Sequence, residues 1–221
     1  MEHFESWKDL VNPEFYIKLG GFWLVLLIVF AESGLFFGFF LPGDSLLFIS
    51  GIYSTTMIRE SVGSLGSDFL DTTLLAFCVG IAAILGDSVG YWFGAKSGPM
   101  LYERKETLFF KRNHLLKAQE FYEENGALAI IIARFLPMIR TFAPIVAGIV
   151  KMDRKKFLFY NVAGGFLWSF SLIFAGHYLD KFFIEQFDID LKKHLEYIII
   201  GLIIVTTTPV IIKAMKKSPK K

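Results

Sequence analysis

The sequence predicts an all-α polytopic membrane protein folded as a single membrane domain over residues 1–221, and three observations carry that reading. First, 54% of the residues are hydrophobic, and several apolar runs reach or approach the roughly 20 residues that a helix needs to cross a hydrocarbon core. Second, two of these runs are broken in the middle by charges and by Pro or Gly, as happens where backbone enters a membrane without spanning it. Third, basic residues fall in blocks at 151–156 and 213–221, the pattern of cytoplasmic segments. The net charge of +2 decides nothing, and the single Cys78 excludes an intrachain disulfide and a cysteine metal cluster.

Residues 1–18 are polar, and Pro13 ahead of Glu14-Phe15-Tyr16 predicts a short interfacial helix; the acidic start and late apolar run argue against a cleavable signal peptide. A first unit is expected at 19–98. Residues 19–31 are apolar up to Glu32, a second uncharged stretch leads to Leu41-Pro42-Gly43-Asp44, and a third covers 45–58. Pro42 and Gly43 are turn formers inside otherwise continuous apolar sequence, so a hairpin carrying Glu32 and Asp44 is expected. Residues 59–71, polar with one basic residue, belong outside, and 72–98 form a spanning helix. Its glycines Gly86, Gly90, Gly94 and Gly98 recur at every fourth position and make a smooth ridge for close backbone packing. Asp87 is an acid at membrane depth, where ionisable groups are functional by default.

Residues 99–125 hold five basic and five acidic residues; Asn113 as N-cap, Gly126 after the end and Leu115, Leu116, Ala118 and Tyr122 on one face predict an amphipathic helix on the cytoplasmic surface. The second unit, 126–179, opens with an apolar run over 126–150 that is long enough to span. It contains Arg134, Pro137, Arg140 and Pro144. Each Arg facing lipid at the bilayer centre costs about 2.5–3.5 kcal/mol, and each interior Pro removes a helical hydrogen bond. The expectation is therefore a helical arm over 126–135, a return through both prolines, and two guanidinium groups in an internal pocket near mid-membrane. Residues 157–179 span without formal charge, with Asn161 and Gly164-Gly165 inside and an interfacial, hydrogen-bonded His177 at the far end. Residues 180–196 belong outside, 195–212 return the chain, and 213–221 form a basic cytoplasmic tail.

The two units resemble each other. Ile28-Val29-Phe30-Ala31-Glu32 parallels Ile130-Ile131-Ile132-Ala133-Arg134, Phe40-Leu41-Pro42 parallels Phe135-Leu136-Pro137, and Ser50-Gly51 parallels Ala147-Gly148. Two acids in the first copy stand where the second has two arginines. The placement of charges makes the copies inverted, an architecture in which substrate sites form at the midplane where broken segments meet.

Three signatures also resemble a known family: Glu32-Ser33-Gly34 followed by Phe40-Leu41-Pro42-Gly43-Asp44-Ser45; Gly90-Tyr91-Trp92-Phe93-Gly94; and Arg134-Phe135-Leu136-Pro137 through Arg140-Thr141-Phe142-Ala143-Pro144 to Ala147-Gly148. Together they are similar to the DedA membrane proteins, whose core is the SNARE-associated Golgi protein or VTT domain. The resemblance implies a lipid transporter with two facing re-entrant hairpins, moving undecaprenyl phosphate or phospholipid in bacteria, often with proton coupling, and scrambling phospholipids in eukaryotic relatives. The family's functional acids and arginines fall on Glu32, Asp44, Arg134 and Arg140.

The residues themselves are suited to a lipid phosphate. Arg134 and Arg140 offer forked donors for the phosphate, and Glu32 and Asp44 would pair with them in an empty site and take up protons as substrate arrives. A permanent salt-bridge cluster is the structural alternative, and a general phospholipid scramblase or a proton-dependent small-ion or solute transporter would use the same charges. A lipid phosphatase fits less well, because His3, His114, His177 and His194 all fall outside the expected pocket and no metal-ligand motif appears. The expected partners are membrane lipids and protons, with no nucleic acid, no cofactor, no enzymatic activity, and oligomerisation left open. The expected location is the cell inner membrane with the C-terminus cytoplasmic.

Overall fold

Seven α-helices and a closing 3-10 turn make up the regular structure of the described residues, which in this computed structural model are 13–34, 43–103, 128–194 and Gly201. They are α1 (Pro13–Gly34), α2 (Gly43–Ile52), α3 (Ser54–Ser61), α4 (Asp68–Glu103), α5 (Leu128–Arg134), α6 (Pro137–Ile149), α7 (Arg154–Phe187) and the 3-10 turn Leu191–His194. Pro42, residues 1–12, the amphipathic helix beyond residue 103, the return helix at 195–212 apart from Gly201, and the tail at 213–221 lie outside the described residues.

Several boundaries differ from the sequence expectation. The end of the interfacial segment and the 19–31 run are two helical pieces within α1, joined by a kink at Gly21, whose φ of +52° only a residue without Cβ adopts cheaply. α4 starts at Asp68 instead of residue 72, with Asp68 and Asp71 at the positive end of the helix dipole, and passes through Pro99 to Glu103 instead of ending at Gly98. α7 runs eight residues beyond the predicted end at 179. It is capped by Asp153, whose side chain accepts from the Lys156 amide at 2.9 Å, and it stops where Asp188 turns left-handed at φ +54°. Helix propensity does not register where polarity changes, so helices continue past the apolar boundary.

The prolines also act differently from one another. Pro137 opens α6 at its first turn, where its missing N–H costs nothing. Pro144 lies inside α6 and does not break it, so the hairpin-breaking role expected of Pro144 is corrected. Gly43 likewise begins α2 and does not interrupt it. The break lies at Phe135-Leu136, where the amides of both residues bond back three positions and Leu136 is extended.

α4 and α7 are the two long apolar helices; Asp68–Gly98 and Arg154–Phe187 are each long and apolar enough to cross a membrane. They run antiparallel: Gly80 lies against Phe166 and Ser169, Ile84 against Gly165, and Tyr91 stacks on Phe157. The main core gathers Val25, Val29, Leu46, Leu47, Ile49, Leu75, Val79 and Trp168 from α1, α2, α4 and α7. A smaller cluster of Ile130, Ala147 and Phe157 joins α5, α6 and α7.

The glycine ridge packs, as its spacing suggests. Gly86 receives the α1 backbone at Phe30 and Gly34, while Gly94 and Gly98 receive that of α6 at Ile145 and Ile149; Gly90 has ordinary contacts with Pro144 and Ile145. Because both contacts advance by four residues, α4 and α6 run parallel. A second crossing has the same form: a Cβ at Gly51 would strike the Ile173 carbonyl and one at Gly176 the Phe48 carbonyl, just as Gly148 meets Tyr91 and Gly94 meets Ile145. Close approach of this kind is the usual means of holding membrane helices together.

Candidate functional site

The charged residues of the two short-helix pairs converge on the α4–α7 pair. Glu32 is in the last turn of α1 and Asp44 in the first turn of α2. Arg134 ends α5 and Arg140 lies in the first turn of α6, so the break at 135–136 sits between the two arginines and lets them reach different partners.

Arg134 reaches into the groove between α4 and α7. Its Nη2 donates to Asp87 Oδ2 and, at 2.7 Å, to Asn161 Oδ1; Asn161 in turn donates from Nδ2 to the Ile84 carbonyl at 3.1 Å. Arg140 turns towards α1 and α2. Its Nη1 donates to Asp44 and its Nη2 to Glu32, so each arm of the fork serves a different carboxylate. Trp168 lies between the two arginines. Its indole N–H donates to Asp44 Oδ1 at 3.0 Å, and its ring lies 4.7 Å from the Arg140 guanidinium carbon and 5.8 Å from that of Arg134. At these distances the ring face attracts both cations.

Glu32, Asp87, Arg134 and Trp168 are each at most 5% exposed. Removing one partner from such a buried pair costs several kcal/mol, roughly 3–5, because it strands a charge. Among the described residues, two polar atoms in the cluster nevertheless lack a partner, Glu32 Oε2 and Arg134 Nε. Gly43 accommodates the free end of Glu32, since a Cβ there would overlap the carboxylate. Fully ionised, two guanidinium groups and three carboxylates sum to one negative charge. The cluster therefore does not attract an anion unless protons are added.

Of the residues expected at the site, Glu32, Asp44, Asp87, Arg134 and Arg140 come together, with a partition that the sequence did not specify. Arg140 takes both Glu32 and Asp44, and among the described residues Asp87 is the acid that pairs with Arg134. His177 lies elsewhere, its Nδ1 3.2 Å from Ser54 Oγ, which also bonds Thr72 at 2.8 Å. Two residues were missed. Asn161 had a readable signal as a lone amide in an uncharged span. Trp168 had a weaker one: it lies deep in the span, whereas membrane tryptophans concentrate at the interfaces.

Comparison with known proteins shows the family. The VTT domain matches residues 17–178. The chain is 36% identical over 193 residues to Protein DedA of Escherichia coli, covering 87% of this chain and 81% of the relative. It is 35% identical over 211 residues to an uncharacterized membrane protein of Mycobacterium leprae, covering 92% and 86%. It is also 30% identical over 177 residues to the inner membrane protein YqjA of Escherichia coli, covering 80% and 74%. No solved structure matches significantly.

Proposed function

The chain belongs to the DedA family of VTT-domain membrane proteins, and on that footing we propose that it moves a lipid carrying a phosphate, such as undecaprenyl phosphate or a related phospholipid, between leaflets with proton coupling. The observation behind this is the buried cluster in which both arginines, on either side of a helix break, are held by carboxylates that protonation would release. A phosphate cannot cross hydrocarbon unescorted because desolvating its charge costs too much. Two guanidinium forks supply the compensation. Each carboxylate displaced from an arginine must take a proton or be stranded as a buried charge, so substrate binding and proton uptake are linked.

The architecture that serves this is a pair of inverted repeats, α1–α2 with α4 and α5–α6 with α7, each short pair forming a re-entrant hairpin. The two matching glycine crossings support it, each hairpin's second arm lying on the other repeat's long helix. Basic residues at 151–156 and in the tail at 213–221 support a reading in which both ends face the cytoplasm of a cell whose inner membrane holds the protein.

The test is a leaflet-accessibility assay in proteoliposomes that compares a polyprenyl phosphate with its uncharged alcohol and with ordinary phospholipids, under pH gradients of both signs. Movement of the phosphorylated lipid should exceed that of the alcohol, and Glu32→Gln should flatten its pH dependence. Arg134→Ala should abolish movement in protein that is destabilised but still folded, since Asp87 can take a proton and bond Asn161. Arg140→Lys should impair movement because a point charge cannot serve two acceptors as a planar fork does. Equal movement of phospholipids would make it a general scramblase. Immobility of every lipid with monodisperse protein would refute the reading.

A further inference from the structure

The antiparallel contact of α4 with α7 opens, one turn beyond the Arg134 pair, into a cavity of about 340 Å³. Ser88, Tyr91 and Trp92 line it from α4, and Arg154, Phe157 and Leu158 from α7. The register follows from the helices. Tyr91 lies four residues after Asp87, and Phe157 four before Asn161, so the cavity is about 6 Å along both helices from the residues that hold Arg134. Its floor is firm: Phe157 is buried and stacks on Tyr91 with centroids 4.4 Å apart, and the Tyr91 hydroxyl donates to the Met152 carbonyl.

The walls differ in chemistry from the floor. Trp92 and Leu158 in the walls are exposed at 60% and 47%, and Phe93 and Phe159 beside them in sequence, outside the lining, at 52% and 69%, as side chains that meet acyl chains are. Arg154 stands at the polar end of this apolar frame, and Lys96 lies 5.1 Å from the Trp92 ring. Asp153, the nearest acid in sequence, is engaged in capping α7 through the Lys156 amide. An opening with a cation at its polar end, apolar sides facing lipid and a volume of a few hundred Å³ has the features of a site for an amphipathic anion.

We propose that this cavity is a docking site for the anionic headgroup of a membrane lipid, with Arg154 as the anchoring cation and the acyl chains lying along Trp92 and Leu158. The site deepens the translocase reading and rests on it for the lipid's destination: a headgroup held here is one helical turn from Arg134. It also divides the work between cations. Arg154 is solvent-exposed and collects the lipid, while Arg134 is buried and takes the phosphate only as its carboxylate partner lets go.

The test reads occupancy, not movement. In vesicles of phosphatidylcholine, brominated acyl chains are introduced either on phosphatidylglycerol or on phosphatidylcholine, and the quenching assigned to Trp92 is taken as the difference between the protein and its Trp92→Phe variant. The brominated phosphatidylglycerol should quench at about fivefold lower mole fraction, the worth of one basic residue towards an anionic lipid. Arg154→Gln should erase that preference, and Lys155→Gln, a neighbouring surface charge outside the cavity, should preserve it. Excess inorganic phosphate should leave the preference intact, because the apolar walls hold the lipid. Equal quenching by both lipids, a preference that survives Arg154→Gln, one that Lys155→Gln also removes, or one that phosphate abolishes would overturn the proposal. Protein with the preference but no lipid movement refutes the translocase and leaves the docking site standing; movement without the preference refutes the docking site alone.

Discussion

Where α2 crosses α7, Gly51 lies under the Ile173 carbonyl and Gly176 under that of Phe48; where α6 crosses α4, Gly148 lies under Tyr91 and Gly94 under Ile145. The spacing is three residues on every strand of this comparison: 48 and 51, 173 and 176, 91 and 94, 145 and 148. The polar content is opposite. The side that includes α1 and α2 brings Glu32 and Asp44, and the side made of α5 and α6 brings Arg134 and Arg140. The same packing device is thus used twice to carry complementary charge to one place. Glycine crossings fix where the backbones lie, and the charges then meet because the frame brings them together. This division separates what holds the fold from what the site does, and each half can be perturbed alone.

The largest effect is expected where charge is stranded. Arg140→Ala leaves Glu32 and Asp44 facing each other without their shared cation, at a cost of about 3–5 kcal/mol, read as a lowered thermal midpoint of detergent-solubilised protein. Adding Glu32→Gln to that variant should recover part of the loss. Strictly additive losses in this double-mutant cycle would mean that the two hairpins do not share a charge site. A middle-sized effect is expected at the crossings. Gly94→Ala and Gly176→Ala each push a Cβ into a backbone carbonyl and should destabilise by about 1–3 kcal/mol, with similar values at the two sites. A large loss at one glycine beside none at the other would end the equivalence of the crossings. The smallest effect is expected at Trp168→Phe, which keeps a ring beside the arginines but removes the hydrogen bond to the Asp44 carboxylate, which retains Arg140 as a partner, a loss of about 1.5 kcal/mol. A loss as large as that of Arg140→Ala would mean that Trp168, and not the ion pairs, organises the site.

Much of this was legible in the chain itself. Runs of apolar residues set the helical membrane class, because backbone polar groups in hydrocarbon must be satisfied within the segment. The charges within those runs marked the site, because an ionisable residue in such a run must find a partner inside the protein. The fourfold glycine spacing located the packing face of α4. Sequence alone could not say that Pro144 would be carried inside α6 while Pro137 opened it, since a proline's effect depends on whether its N–H was needed and on what supports the turn around it. Nor could it find Trp168, whose position beside two guanidinium groups depends on α7 meeting α2 and α5 at once.

The sequence by itself determined the helical class and marked the charged residues that come together, both of which follow from local composition and period. Only the tertiary structure decided the pairing: Arg140 with Glu32 and Asp44, Arg134 with Asp87 and Asn161. Five charges and an amide can be matched in several ways that local sequence does not distinguish. The choice is made by which backbones come close enough for side chains to reach, and in this protein the glycines of α1, α2, α4, α6 and α7 set that distance.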